Sequence, residues 1–248
     1  MPQPTFLVIG AQKCGTTSLY HYLNAHPNIF MSERKELHYF DREHKYPDVL
    51  WYESQFSIKD LDNILAIGEV TPIYCFWPTS LPRIYTYKPE MKLVMLVRDP
   101  VRRAISNYWM EFNRGNETQP IEQAFMMEES RLATGMSRHW RLHAYKKRSL
   151  YHEQLEHVHH LFPSRQIFTG RLEDLSRNPK SFMEALFHFL DVPVIHLAEY
   201  KRHFSTTYSP EAVPDDLLKM LYSYFRPHNM QLTRDYQITT IDWKISSY

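Results

Sequence analysis

The stretch Phe6-Leu-Val-Ile-Gly10-Ala-Gln-Lys-Cys-Gly15-Thr-Thr-Ser18-Leu-Tyr decides how the rest of the chain is interpreted. Four apolar residues end at Gly10, and the apolar residues after Gly15 recur at helical spacing. This pattern predicts a buried strand, a tight loop and a helix. In such a turn the backbone N–H groups of the loop and of the first helical turn converge, and the helix dipole favours negative charge there. The stretch therefore predicts an anion-binding site.

The two glycines have the spacing of a P-loop, but their surroundings differ from the nucleotide-triphosphatase pattern. That pattern requires Lys and then Ser or Thr after the second glycine, whereas Thr16 and Thr17 stand there. The lysine of this loop is Lys13, whose ammonium group is expected over the mouth of the loop. The hydroxyls of Thr16, Thr17 and Ser18 can donate to phosphate oxygens. The alternative is an ordinary strand-to-helix turn with a solvated Lys13.

The same stretch resembles the 5′-phosphosulfate-binding loop of sulfotransferases that use 3′-phosphoadenosine 5′-phosphosulfate (PAPS), nearest to the heparan-sulfate type. The resemblance implies PAPS as donor, adenosine 3′,5′-bisphosphate as product and no required metal. It also implies a role for Lys13 in neutralising charge on the leaving phosphate oxygen. The implied donor-binding residues of the loop are Lys13, Cys14, Gly15, Thr16, Thr17 and Ser18.

Composition is that of an ordinary globular protein and argues against some functions. The chain has 248 residues, of which 43% are hydrophobic and 23% charged. A net charge of +1 supplies no overall basic field, which argues against a nucleic-acid binder that depends on counterion release. Any polyanion would have to bind a local patch of positive charge.

The sequence contains no apolar run near the ~20 residues that span a bilayer, and no leader precedes the first predicted strand. Cys14 and Cys75 are too few for a disulfide framework and lack metal-ligand spacing, as in cytoplasmic proteins. Golgi members of the resembled family carry a membrane anchor, so the resemblance implies a bacterial-style stand-alone enzyme. No linker or repeat divides the chain, and we predict one domain over residues 1–248 and a cytoplasmic location.

Strand and helix patterns alternate along the chain. Further strands are predicted at 65–70, 91–97 and 166–169, and helices after Pro100, over 150–162, over 179–190 and over 214–225. Alternation of this kind predicts an α/β fold with a P-loop-like parallel sheet flanked by helices on both faces. Ligands of such sheets bind beyond the carboxyl ends of the strands, where Gly10 and Arg98 are both expected.

Arg98 ends the strong strand at 91–97, and Ser106 lies two turns into the following helix. A guanidinium group and a hydroxyl together can bind a phosphate monoester, although Arg98 could instead pair with a structural carboxylate. The stretch Leu96-Val-Arg98-Asp-Pro-Val-Arg-Arg-Ala-Ile-Ser106 resembles the 3′-phosphate motif of the PAPS-dependent family. The resemblance implies that Arg98 and Ser106 bind the 3′-phosphate.

An acceptor hydroxyl needs a base within hydrogen-bond reach when it attacks sulfur. Lys35-Glu36-Leu-His38-Tyr-Phe-Asp41 resembles the Lys-Glu-x-His-Phe-Phe segment of the heparan-type enzymes, whose glutamate is the general base. The resemblance implies that Glu36 is the base and that His38 is its orienting partner or an alternate base. Without it, Glu36 would be interpreted as a solvated loop charge.

Two segments depart from the heparan-type pattern. Glu69-Val-Thr-Pro72-Ile-Tyr74 has Val70 where that family has a lysine, which puts a glycosaminoglycan acceptor in doubt. In place of the late Lys-Gly-Arg loop stands His203-Phe-Ser-Thr-Thr-Tyr208, whose hydroxyls could close over the donor. A basic, aromatic stretch at 138–148 could bind an anionic or sugar acceptor or be a solvated helix face.

The function predicted from these motifs is sulfuryl transfer from PAPS to a hydroxyl, or an amine, of a carbohydrate or small natural-product acceptor. A P-loop nucleotide or small-molecule kinase is the alternative, but it would need Lys after Gly15 and an acid to hold Mg²⁺. A non-catalytic module with a retained nucleotide pocket is a third hypothesis. The presence of both Lys13 and Glu36 argues against it.

Overall fold

The structure is a computed structural model that describes residues 2–57, 62–201, 203 and 213–244. Its β-strands are β1 (Phe6–Gly10), β2 (Ile29–Met31), β3 (Ala66–Val70), β4 (Lys92–Val97) and β5 (Ile167–Arg171). They form one parallel sheet in the order β2-β3-β1-β4-β5. Every residue of β1 and β3 is buried, as expected of strands that are covered on both faces.

The helices connect the strands and follow the last of them. They are α1 (Thr16–Asn24), α2 (Val49–Ser54), α3 (Ser80–Tyr87), α4 (Pro100–Asn113), α5 (Ile121–Ala133), α6 (Ser137–Leu142), α7 (Tyr151–Leu161), α8 (Leu172–Arg177), α9 (Pro179–Phe189) and α10 (Asp215–Tyr236). Short 3₁₀ turns lie at Lys147–Ser149 and Ser164–Gln166. The predicted α/β fold with a parallel sheet is confirmed.

The carboxyl ends of β1, β3 and β4 lie at one edge of the sheet. Beyond the strands the backbone pairing continues, because the N–H of Ala11 donates to the carbonyl of Leu96 at 2.7 Å. The N–H of Thr71 likewise donates to the carbonyl of Val8 at 3.1 Å. Along the strand order, the connection after β1 leads in one direction, to β2, and the connection after β3 leads in the other, to β4. Proteins with α/β folds bind ligands where neighbouring strands have connections in opposite directions.

The residues group into two compact units. The first comprises Met1–Val97 and Gln154–Phe204 and contains the whole sheet. The second comprises Arg98–Glu153 and Ser205–Tyr248, and its core is built by α4, α5 and α10. The buried side chains of that core include Val101, Ile105, Tyr108, Ile121, Phe125, Tyr145, Leu217, Leu221 and Phe225. The single domain over residues 1–248 stays a prediction.

Two local predictions can be compared directly with the structure. Asp99 followed by Pro100 is a helix-start signal in the sequence, and the structure confirms it: Oδ1 of Asp99 accepts hydrogen bonds from the N–H groups of Val101 at 2.9 Å and Arg102 at 3.2 Å. The last helix was expected to end at Phe225, before Pro227, but α10 continues to Tyr236. Burial of Leu232 on its apolar face contributes to the extension, and this packing outweighs the hydrogen bond that proline removes.

Gly68 gives a test of sheet packing. A Cβ atom at this position would lie 2.1 Å from Cζ of the buried Phe6 ring. We expect Gly68→Ala to lower the free energy of unfolding by about 1–3 kcal/mol, because the core must shift to admit the methyl group. Urea denaturation of both proteins measures the difference.

Phe6→Leu supplies the control, because leucine lacks the ring atoms that meet the new Cβ. In the Phe6→Leu background, Gly68→Ala should cost less than it does in the wild-type chain. An equal cost in both backgrounds would contradict the steric explanation.

Candidate active site

The loop between β1 and α1 has the conformation that the glycine spacing predicted. Gly15 has φ of 85° and occupies the N-cap of α1, and a Cβ atom there would lie 2.5 Å from Cδ1 of Leu172. Both the left-handed backbone and the close approach require glycine. The N–H of Cys14 donates to the carbonyl of Ala11 at 3.1 Å, which closes the turn.

The predicted donor-binding residues of this loop differ in exposure. Cys14, Thr16 and Ser18 are buried, whereas Lys13 and Thr17 are half-buried. Helix α1 begins at Thr16, and the N–H groups of its first turn have no partner inside the helix. The hydroxyl of Ser18 already accepts a hydrogen bond from the N–H of His203 at 3.1 Å.

Glu36 and His38 lie at the carboxyl end of β3. The N–H of Glu36 donates to the carbonyl of Val70, the last residue of β3, at 2.9 Å. Nε2 of His38 lies 3.6 Å from Oε2 of Glu36, and Nδ1 lies 3.0 Å from Oδ1 of Asp41. The imidazole thus stands between two carboxylates. Nζ of Lys35 contacts the other oxygen of Glu36 at 2.7 Å.

Burial and ion pairing together shift the pKa values of Glu36 and His38. Burial raises the pKa of Glu36, but the pairing with His38 and the charge and hydrogen bond of Lys35 outweigh it and lower the pKa to about 2. Burial lowers the pKa of His38, yet Asp41 and Glu36 together raise it above 6.5. Near neutral pH Glu36 is therefore ionised, and the two carboxylates favour the protonated form of His38 relative to a free imidazole.

Lys13, Glu36 and His38 share an uncommon backbone conformation. Their φ angles are 71°, 62° and 56°, which lie in the left-handed region that non-glycine residues rarely adopt. Strained backbone is concentrated at functional sites, where the surrounding fold holds it. The sequence contained no signal of this strain, since none of the three residues is of a type that favours positive φ strongly enough to predict it.

Two neighbours of these residues were not among the predicted site residues. Asp41, whose side chain is fully buried, orients His38, and Glu69 is a fully buried carboxylate at the end of β3. A buried position in a strand usually holds an apolar residue, so hydrophobic periodicity gives no indication that the acidic Glu69 is buried. The signal that could have identified Glu69 is its position in the segment Glu-x-Thr-Pro-x-Tyr, which resembles a segment of the heparan-type enzymes.

Arg98 and Ser106 belong to the second unit. Arg98 is half-buried and directly precedes Asp99, the N-cap of α4, whereas Ser106 is buried within α4. Arg103, three residues before Ser106 in α4, has an internal role. Its guanidinium donates to Oγ of Ser149 at 2.5 Å, to the carbonyl of Tyr145 at 2.6 Å and to Oδ1 of Asn107 at 3.2 Å.

The basic stretch at 138–148 does not form one surface. Arg148 is fully buried, and its guanidinium donates to the carbonyls of Trp140 at 2.7 Å and Arg141 at 2.9 Å. Nζ of Lys147 lies 2.5 Å from Glu153, and Arg138 is exposed. The solvated helix face is therefore wrong for Arg148, whose guanidinium binds carbonyl groups in the last turn of α6.

Other predictions meet the structure only partly. Tyr208 lies outside the described residues.

Within residues 2–57, 62–201, 203 and 213–244, no group of three or more His, Cys, Asp or Glu is placed to hold a metal ion. In the same ranges no helix combines the length and apolar character needed to cross a bilayer. Cys14 and Cys75 are both buried, and the cytoplasmic location stays a prediction.

Comparison with known proteins identifies the family to which the chain belongs. A family model described as the sulfotransferase domain matches residues 3–224. The chain belongs to this sulfotransferase family. A crystal structure of a sulfotransferase from Alicyclobacillus acidocaldarius superposes with a TM-score of 0.83, at 26% identity over 98% of this chain and 99% of that one.

Two curated relatives of this sulfotransferase align over nearly its whole length. The membrane-associated sulfotransferase kil1 of Dictyostelium discoideum is 28% identical over 97% of this chain and 66% of its own. Human heparan sulfate glucosamine 3-O-sulfotransferase 5 is 26% identical over 97% of this chain and 74% of its own. The predicted enzyme class and the resemblance to the heparan-sulfate type are confirmed, and the family match does not favour the kinase alternative.

The raised pKa of His38 makes its contribution to stability depend on pH. In the folded sulfotransferase the pKa lies above the unfolded value of 6.5, so protonated His38 stabilises the fold below about pH 6.5. This contribution is lost as the pH rises through the folded-state pKa. We expect the Tm difference between wild type and His38→Asn to be largest at low pH and to shrink on the alkaline side.

Thermal unfolding between about pH 5.5 and 9 measures this difference. The matched control is His44→Asn, which removes an exposed imidazole from the same segment. A Tm difference for His38→Asn that grows with rising pH would contradict the assigned charge state.

Proposed function

We propose that this sulfotransferase moves a sulfuryl group from PAPS to a hydroxyl, or an amine, of a carbohydrate or small natural-product acceptor. The observation that carries the proposal is the ionised Glu36 beside His38 at the end of β3, next to strand β1 and its loop. A carboxylate near the anion-binding loop can take the proton that an attacking hydroxyl must lose.

Lys13 to Ser18 would bind the 5′-phosphosulfate of the donor. Support comes from the start of α1 at Thr16, whose first-turn N–H groups and dipole favour an anion, and from the flanking Lys13. Gly15 and Thr17 would contribute backbone N–H groups or a hydroxyl, and Cys14, whose N–H closes the turn on Ala11, would keep the binding loop in shape. Arg98 and Ser106 are proposed to bind the 3′-phosphate on the strength of the sequence resemblance, and Tyr208 to contribute a hydroxyl.

Glu36 is the proposed general base. The acceptor oxygen attacks sulfur, the bond between sulfur and the phosphate oxygen breaks, and that oxygen keeps the electron pair. Glu36 takes the acceptor proton, and Lys13 neutralises the charge that builds on the leaving phosphate oxygen. The raised pKa of His38 favours this division of roles, because protonated His38 with Nδ1 on Asp41 cannot accept a proton.

The acceptor is proposed at the level of its chemistry. The human relative is named for acting on heparan sulfate glucosamine, and the family resemblance supports a carbohydrate. Val70 stands where the heparan-type enzymes have a lysine, which weakens the case for a glycosaminoglycan. A small natural-product alcohol or amine fits the same base.

Mass spectrometry of acceptor pools incubated with enzyme and PAPS tests the reaction by the gain of one sulfuryl group. We expect the product to form in excess EDTA, since the proposed mechanism has no metal step. Loss of activity in EDTA that Mg²⁺ restores would favour the kinase alternative.

Lys13→Ala should lower kcat by about a hundredfold or more, because a group that stabilises developing charge commonly contributes ~3–4 kcal/mol. Steady-state kinetics with PAPS measures the change. Lys219→Ala, which removes an exposed lysine of α10, is the matched control and should retain wild-type kcat. Near-normal turnover of the Lys13 variant would refute its role.

Glu36→Gln should abolish turnover while binding of adenosine 3′,5′-bisphosphate persists, since the amide keeps the shape but cannot take a proton. Calorimetry measures binding, and the sulfuryl-transfer assay measures turnover. Glu33→Gln removes an exposed carboxylate three residues earlier and should be active. If Glu36→Gln also loses nucleotide binding, the role of Glu36 is structural instead.

A further inference from the structure

Glu69 is a buried carboxylate that receives three hydroxyl hydrogen bonds. Thr71 Oγ1 and Tyr74 OH donate to its Oε1 at 2.5 and 2.8 Å, and Tyr52 OH donates to its Oε2 at 2.7 Å. Glu69 and the three hydroxyl residues are fully buried. A buried charge is costly unless it is hydrogen-bonded, and these three donors satisfy that requirement.

The direction of these bonds has a consequence for the neighbouring backbone. Burial raises the pKa of Glu69, while the hydroxyl bonds oppose that rise. Tyr74 OH and Thr71 Oγ1 each receive a backbone N–H, which can only donate, so each of these hydroxyls turns its own hydrogen toward Glu69. The lone pairs of Tyr74 and Thr71 are then directed outward. Tyr74 OH accepts from the N–H of Tyr39 at 3.0 Å, and Thr71 Oγ1 accepts a longer bond from the N–H of His38 at 3.5 Å.

The segment that is held in this way carries the proposed base. Glu36 is tied to β3 by its own N–H, and both Glu36 and His38 have positive φ. A segment in that conformation relaxes unless neighbouring contacts hold it. The hydroxyls on Glu69 supply such contacts immediately after Glu36.

We propose that Glu69, acting through Tyr74 and Thr71, is a positioning residue that holds His38 and Tyr39, and with them Glu36, in the geometry needed for sulfuryl transfer. This inference rests on the proposed function of Glu36. Misplacement of a reacting group by about 1 Å can cost a hundredfold in rate, so loss of these bonds should lower kcat.

Tyr52 provides a matched comparison for Tyr74. Both hydroxyls donate to the same buried carboxylate, but the described contact of Tyr52 with Tyr39 is ring stacking at 4.1 Å, which phenylalanine preserves. Tyr52→Phe and Tyr74→Phe therefore each remove one bond to Glu69. Only Tyr74→Phe also removes the acceptor for the N–H of Tyr39.

We expect Tyr74→Phe to lower kcat by about tenfold or more, with the Kd for adenosine 3′,5′-bisphosphate unchanged within about twofold. Tyr52→Phe should lose similar thermal stability but keep kcat within about twofold of wild type. Equal losses of kcat in the two variants, or no loss in Tyr74→Phe, would overturn the proposal.

Thr71 supplies a second, independent pair in case Tyr74→Phe does not fold. Thr71→Val removes the hydroxyl with little change in shape and should lower kcat, whereas Thr71→Ser keeps the hydroxyl and should restore it. Serine that behaves like valine would count against the proposal.

A readout that does not depend on sulfuryl transfer separates this inference from the proposed function. NMR titration of the His38 imidazole should give a pKa that falls toward 6.5 in Tyr74→Phe, because its pairing with Asp41 and Glu36 loosens, and stays raised in Tyr52→Phe. An enzyme without sulfuryl-transfer activity would defeat the proposed function, while this titration would still decide whether Tyr74 positions His38. Unchanged titration in Tyr74→Phe would overturn the inference.

Discussion

The candidate site depends on parallel backbone pairing of β1 with β3 on one side and β4 on the other. Because the strands are parallel, their carboxyl ends finish at one edge, and main-chain hydrogen bonds extend the pairing into the loops. The N–H of Ala11 reaches β4, and that of Glu36 reaches the end of β3. Main-chain bonds do not depend on side-chain identity, so the loops are positioned by the sheet and their side chains are left for chemistry.

The second constraint is the cost of charge in a buried setting. Asp41 and Glu69 are both fully buried, and each would be strongly destabilising without partners. Asp41 accepts from His38, and Glu69 accepts from three hydroxyls. The same contacts that offset desolvation also orient the segment at 36–41. Some of the contacts that stabilise this segment therefore also set the geometry of the proposed base.

Three arginines of the second unit make internal contacts. Arg103 and Arg148 are fully buried and donate mainly to carbonyl groups, and Arg131 pairs with Glu117 at 2.5 Å. Glu117 also accepts from Tyr145 OH at 2.8 Å, which ties the arginine into the core. A guanidinium group suits this role because its planar donors satisfy several acceptors at once. A basic run in the sequence is thus a poor guide to a binding surface in this unit.

The sequence by itself determined the fold class, the loop at Lys13 to Ser18, the cap at Asp99 and the membership of the sulfotransferase family. The first three features are local, since hydrophobic periodicity, glycine spacing and capping residues act over a few neighbours. The family was indicated by the resemblance of whole motifs and shown by the family match. Tertiary structure alone decided the sheet order, the continuation of α10 through Pro227, the internal role of Arg148 and the network of Glu69. Each of these depends on how whole elements pack against one another. The hydrogen-bond partners of Glu69 and Arg148 lie near them in the sequence, but hydrophobic periodicity does not encode that these charged side chains are buried.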